Sequence, residues 1–279
     1  MNKNTNKKFK YKHSLGQNFI IDEFLLEDIA DASKISKNDY VLEIGPGNGA
    51  LTRCLCDRAK YIVTVEIDKS LLPLLKSNLK EYQNLSIINA DFMNYEFDNI
   101  LNEFKINGFD KDSNYIKVVA NLPYYITSPI INSLLLNPYI NEMTLMVQKE
   151  VAERIIAKPN TKDFGILTLS CNYFSDTELL MIVSKDCFYP KPKVDSAVVH
   201  FTKLHINKKA LDENYKDLFA LIHASFSQRR KKLINSLSNV LKIDKETLKS
   251  ALLKLNFDEN VRAENLSLDD YKNLLSLLF

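Results

Sequence analysis

The stretch 41–52, VLEIGPGNGALT, decides the fold. An apolar run enters a turn with glycines at 45, 47 and 49, and a helix-like segment follows. Glycines at such a turn admit a positive φ and let a ligand approach the backbone closely. A dinucleotide fingerprint would put its third glycine at position 50; here it comes one position early, and Glu43 precedes the first glycine by two. The loop has no phosphate-type lysine, which argues against a P-loop nucleoside triphosphatase. Strand, glycine turn and helix together predict the opening unit of a sheet that binds ligands at the carboxyl ends of its strands.

Outward from this unit, short β-branched runs recur at 40–44, 61–67, 85–89, 115–119 and 143–148. Amphipathic segments such as 70–82 and 128–137 lie between them. That alternation predicts right-handed crossovers and a mostly parallel sheet covered by helices. Two more strands, at 179–184 and 196–204, follow without an intervening helix and are expected to pair antiparallel at a sheet edge. The stretch 97–114 is polar, with room for one short helix and a surface loop. Beyond about residue 205 the strand signal stops. The segments 214–241, 244–256 and 267–279 are helical in period and have capping residues ahead of them. The expected fold is therefore α/β with a mostly parallel seven-stranded sheet, followed by a small all-α domain. Expected boundaries are a basic tail at 1–12, the α/β domain at 13–204 and the helical domain at 205–279.

Two acids fall on the rim that the glycine loop marks. Glu66 closes the second strand about 20 residues after the loop, where such folds set an acid against ribose hydroxyls. Asp91 follows the third strand. Together they suit a ribose diol and an adenine amine, or else they cap the helices that follow. With no phosphate-binding lysine, a cofactor that contains adenosine but no pyrophosphate fits best, and S-adenosylmethionine is the candidate. After the fourth strand comes NLPYY, at 121–125. An exocyclic base amine is a poor nucleophile because its lone pair is delocalised into the ring. The Asn121 amide oxygen, with a backbone carbonyl beside it that Pro123 rigidifies, accepts its N–H bonds and favours a localised lone pair. An aromatic next to the proline can stack on the base. Glycine loop, acid, acid and Asn-x-Pro-aromatic thus read as an amino-group methyltransferase acting on a nucleobase.

The bulk properties restrict the remaining classes. Hydrophobic residues make up 46% of the 279, enough for a substantial core. The 37 basic and 35 acidic residues nearly cancel, but their distribution does not. Residues 1–13 carry five lysines and no acid, and SQRRKK at 227–232 contains Arg229, Arg230, Lys231 and Lys232 in a row. Such a density of cations suits RNA phosphates, with arginine adapted to bidentate contact. Four cysteines and four histidines show no metal-ligand spacing, so no metal is expected. No run approaches the roughly 18 apolar residues of a membrane span. A monomeric, cytoplasmic protein with reduced thiols is the expectation.

Several motifs carry a closer resemblance. HSLGQNFIID (13–22), EIGPGNGALT, NLPYYITSPI, MVQKEVAERIIAKPNTKDFG, FYPKPKVDSAVV, FSQRRKKLINSL and RAENLSLDDY resemble the small-subunit ribosomal RNA adenine-N6,N6 dimethyltransferases. The likeness runs from about residue 12 to 275 and includes the helical segment. The resistance methyltransferases of large-subunit RNA share the catalytic half, but the two C-terminal motifs are not typical of them. The resemblance implies that Asn18 and the Ile20 backbone close over S-adenosylmethionine. Gly45 would approach its methionine part, Glu66 the ribose, Asp91 the adenine amine and Asn121 the methyl-transfer centre. Tyr124 would stack on one face of the target adenine and Phe188 on the other. In CFYPKPKV either Phe188 or Tyr189 could be the packed residue and the other exposed, and the motif alignment favours Phe188 at the base. The implied substrate is two adjacent adenosines near the 3′ end of small-subunit RNA, within a partly assembled subunit.

Overall fold

The computed structural model describes residues 17–204 and 213–279. The basic tail expected at 1–12 lies outside the described residues, and the expected boundary at 204/205 falls at the edge of 205–212, which do too.

The first fully buried strand is β2 (Tyr40–Ile44), after a two-residue β1 (Phe19–Ile20). Its near-continuous apolar run is what a parallel strand covered on both faces requires. It pairs in parallel with β3 (Tyr61–Glu66), Ile44 opposite Val65, and with β5 (Ile116–Asn121), Glu43 opposite Val119. On the far side of β3 lies β4 (Leu85–Asn89), also parallel. With β6 (Ile140–Gln148), β7 (Ser175–Val183) and β9 (Ser196–Lys203), the seven-stranded order is β4-β3-β2-β5-β6-β9-β7. The two late strands are neighbours at one edge, as their spacing predicts. A separate two-stranded pair joins β1 to β8 (Phe188–Tyr189).

The chain leaves β2 toward β3 and β4, then returns to β5 on the other side of β2. That reversal is a topological switch point, where the loops beyond adjacent strands diverge and leave a crevice. The connections are helical: α2 (Ala50–Cys56), α3 (Leu72–Asn78), α4 (Phe97–Ile106) and α5 (Thr127–Leu136). Ahead of them α1 (Glu23–Ala32) starts at Asp22, whose side chain accepts from the Phe24 and Leu25 N–H groups. Arg58, just past α2, bridges Glu27 and Asp31 of α1 at 2.6 Å each. This fixes α1, and with it the segment 17–22 that leads into it.

Contacts gather the chain into two compact units. The first comprises the residues up to Thr127, Thr144–Gln148 and Leu180–Val198. Its core packs Ile20, Leu26, Val41, Leu55, Ile62, Val119, Met146 and Phe188 together. The second comprises Ser128–Met143, Lys149–Leu179 and the residues from Val199 onward. It contains α6 (Lys149–Ile155), α7 (Ile166–Phe174), α8 (Glu213–Phe226), α9 (Leu233–Leu241), α10 (Lys245–Lys254) and α11 (Leu268–Leu278). An aromatic group of Tyr173, Phe174, Tyr215 and Phe219 packs within this unit.

One helical expectation is corrected. The periodic stretch 214–241 is two helices, because 227–232 forms a turn. Leu233 N–H donates to the Val261 carbonyl at 2.8 Å and Arg229 reaches other carbonyls, so distant partners outweigh the local tendency to continue the helix.

Candidate active site

A cleft of about 780 Å³, open to solvent, lies at the carboxyl ends of β2, β3 and β5, wholly within the first unit. One wall is the glycine loop. Gly45 has φ +71° and Gly47 φ +61°, conformations that side-chain-bearing residues adopt only with strain. A Cβ on Gly47 would come within 2.8 Å of the Phe19 ring, so the segment 17–20 rests directly on the loop. Gly45 N–H donates to the Val65 carbonyl, which ties the loop to the end of β3.

Glu66 is buried beside this loop and receives two backbone bonds, from Gly47 N–H at 3.1 Å and Asp68 N–H at 2.7 Å. Burial raises its carboxyl above the usual range against those two stabilising bonds. Glu43 is more extreme. Burial, with the nearby Glu66 charge in support, pushes it up to about 8 even though Thr52 Oγ1–H donates to it at 2.6 Å. Burial thus favours the protonated form of Glu43 in the cleft. Beyond Glu66, Ile67 is 43% exposed and gives an apolar face to the cleft. Gln17 Nε2–H donates to Asp68 Oδ2 at 2.8 Å, pinning the overlying segment. Among the described residues, none that lines the cleft is Lys, Arg or His.

The other wall is the loop after β5. Leu122 N–H donates to the Met146 carbonyl and anchors it. Asn121 Nδ2–H donates to the Asn18 carbonyl at 3.2 Å, an arrangement that leaves the amide oxygen as an acceptor. The Pro123 carbonyl accepts from Ile126 N–H and Thr127 Oγ1–H, so it is engaged in the start of α5. Tyr124 lines the cleft with its hydroxyl 2.7 Å from Ser196 Oγ, and Tyr125 is 59% exposed at the mouth.

The structure brings Asn18, Ile20, Gly45, Glu66, Asn121 and Tyr124 together in this cleft. Phe188 and Asp91 are not among its lining residues. Phe188 is 2% exposed, in the core beside Ile20, whereas Tyr189 is 55% exposed; the expected facing is reversed. The cause is register: β8 pairs with β1, Ile20 opposite Phe188 and Phe19 opposite Tyr189, and alternation sends the two rings to opposite faces. Asp91 accepts from Met93 N–H and from Asn94 Nδ2–H within its own turn. Sequence reasoning missed Gln17, Phe19, Ile67 and Ser196. The first three adjoin residues it had named, and Ser196 lies within the FYPKPKVDSAVV motif.

In the second unit the four cations divide. Arg229 donates to the carbonyls of Lys162 and Phe164 and pairs with Glu264 at 3.2 Å. It is a clamp between the 160–164 loop and the 263–265 turn, and Asn160 N–H reinforces it by donating to the Glu264 carbonyl. Arg230, Lys231 and Lys232 are exposed.

Strand order, switch-point cleft, glycine loop and acid at the end of β3 together define a class I methyltransferase. The chain belongs to the ribosomal RNA adenine dimethylase family, whose model matches residues 8–278. A relative named ribosomal RNA small subunit methyltransferase A, from Clostridium botulinum strain Loch Maree, is 42% identical over 97% of this chain and 95% of its own. The protein of the same name from Clostridium acetobutylicum is 40% identical over 95% and 93%. Among solved structures, a dimethyladenosine transferase from Plasmodium falciparum superposes with a TM-score of 0.73 at 27% identity, covering 92% of this chain and 95% of that one. The 23S rRNA methyltransferase ErmE gives 0.69 at 25% identity, covering 93% and 99%. Among the described residues no helix is long and apolar enough to cross a membrane.

Proposed function

We propose that this enzyme transfers methyl groups from S-adenosylmethionine to N6 of two adjacent adenosines near the 3′ end of small-subunit ribosomal RNA. The products are N6,N6-dimethyladenosines, made by a cytoplasmic monomer on a partly assembled subunit. The observation that carries this reading is the joining, in one cleft, of an acceptor-lined wall, without cations among the described residues, to an amide held with its oxygen available.

A pyrophosphate-bearing cofactor would meet no cation among the described residues of the cleft, whereas a cationic nucleoside meets acceptors and an apolar face. Gly45 and Gly47 admit the methionine part close to the backbone, Glu66 accepts from the ribose hydroxyls, and Ile67 packs against adenine. Asn18 and the Ile20 backbone close over it. When bound, S-adenosylmethionine supplies an electrophilic sulfonium methyl, so no strong general base is required. Asn121 accepts from the target amine and favours a localised nitrogen lone pair. Tyr124 stacks on the target base and sets its plane. Most of the acceleration then comes from proximity and orientation. The exposed Arg230, Lys231 and Lys232 contact RNA phosphates, which makes affinity fall as salt rises. Assignment to the small subunit is supported by relatives of that name that match nearly the whole chain.

The test is methyl transfer from labelled S-adenosylmethionine to unmethylated small subunits and, separately, to large subunits. Label recovered as N6,N6-dimethyladenosine from the small subunit alone is the expected result. Label in the large subunit would reassign the substrate, and label in neither would overturn the reading.

A further inference from the structure

Tyr124 and Ser196 of the FYPKPKVDSAVV motif meet at one hydrogen bond. The Tyr124 hydroxyl and Ser196 Oγ are 2.7 Å apart, and Ser196, the first residue of β9, is 0% exposed. A hydroxyl buried in a strand costs stability unless it is bonded, and an alanine would fill the site without that cost. The ring of Tyr124 is the cleft side chain that this hydroxyl reaches. Two torsions set its plane, and one contact at the far end of the ring restrains both. The neighbouring Asp195 accepts from Lys185 N–H at 3.0 Å and so closes the 185–195 loop that carries Phe188 and Tyr189. Two adjacent side chains, Asp195 just ahead of β9 and Ser196 at its start, thus tie the aromatic-bearing loop and the Tyr124 ring to the same short stretch.

Resting on the reading that Tyr124 stacks on the target adenine, we propose that Ser196 is a positioning residue for methyl transfer. Its hydroxyl holds the phenol so that the ring plane is set before the base arrives. Asn121 is held in the same way by the Asn18 carbonyl. Amine acceptor and stacking surface are then both fixed in advance, and the target nitrogen is delivered in line with the methyl group. Small errors in that alignment are costly to rate.

The experiment compares Ser196→Ala, Tyr124→Phe, the double variant and Ser196→Thr in single-turnover transfer on small subunits at saturating cofactor. RNA carrying 2-aminopurine at the target position reports stacking by its fluorescence. Each single variant should slow transfer about five- to tenfold, the size of one lost hydrogen bond. The double variant should be no slower than either, because both changes break the same bridge. Ser196→Thr, which keeps the hydroxyl, should recover the rate and the fluorescence of the stacked base. If Ser196→Ala does not fold, Tyr124→Phe and Ser196→Thr carry the same test, since they remove or retain the bridge while keeping the ring. Wild-type rates in Ser196→Ala or in Tyr124→Phe would overturn the positioning role, as would losses that multiply in the double variant. Wild-type transfer by Tyr124→Ala would instead overturn the stacking reading itself.

Discussion

The two walls of the cleft are built by different means. The wall of glycine loop and Glu66 is made mainly by backbone: positive-φ glycines, and a buried carboxylate held by the Gly47 and Asp68 N–H groups. The wall of Asn121 and Tyr124 is made by side chains held at their tips, one on the Asn18 carbonyl and the other on Ser196. A wall of backbone recognises a constant ligand and tolerates little change. A wall of tethered side chains aims functional groups and can be dissected one bond at a time. Substitutions in the first should therefore act on cofactor affinity, and in the second on the rate of transfer.

The largest effect is expected from Asn121→Ala. Losing the acceptor for the reacting amine should reduce single-turnover transfer by about a thousandfold, a magnitude typical of removing one preorganised polar group from an active site. Quench-flow measurement with labelled cofactor checks it. On the backbone wall, Gly47→Ala places a methyl group 2.8 Å from the Phe19 ring at a positive φ. Strain of about 1–2 kcal/mol should weaken cofactor binding by about tenfold or more, as calorimetric titration would read.

Glu43 gives a prediction in pH. Its carboxyl rises from the ordinary 4.5 to about 8 in the folded protein, mainly through burial. A raised folded value means that its favourable contribution is complete below pH 4.5 and is lost as pH climbs through 8. Denaturant titrations should therefore show stability declining across that window, and Glu43→Gln should flatten the decline. The smallest effects lie in the second unit and separate two adjacent arginines. Arg229→Ala should lower the melting temperature, because it removes the clamp on Lys162, Phe164 and Glu264. Arg230→Ala should leave the melting temperature unchanged and reduce the salt slope of RNA binding by about 1.

Much of this was legible in the sequence. Near-continuous apolar runs gave the parallel strands, and residues at the ends of those strands had to share a rim whatever their separation along the chain. Gly45, Glu66, Asn121 and Tyr124 therefore reach one cleft, and Asn18 joins them from the segment ahead of β1, its carbonyl accepting from Asn121. What stayed hidden depends on distant partners. Alternation requires that one of Phe188 and Tyr189 face inward, but pairing with Phe19 and Ile20 decides which. The helical period runs on through SQRRKK, yet Arg229 and Leu233 bond to carbonyls far away in sequence and a turn results. Asp91 sits where a ligand acid belongs, and a local bond to Met93 N–H holds it in its turn. Glu43 stands beside the glycines in the sequence, but its protonation follows only from burial in three dimensions.

The division of labour between the walls is tested most directly by one paired measurement on Glu66→Ala and Tyr124→Ala. S-adenosylmethionine affinity is measured by calorimetry, and single-turnover transfer is measured at saturating cofactor. Glu66→Ala should lose affinity and retain most of its rate once saturated, while Tyr124→Ala should bind cofactor as the wild type does and transfer slowly. Normal cofactor binding by Glu66→Ala, or an unchanged transfer rate in Tyr124→Ala, would contradict the account.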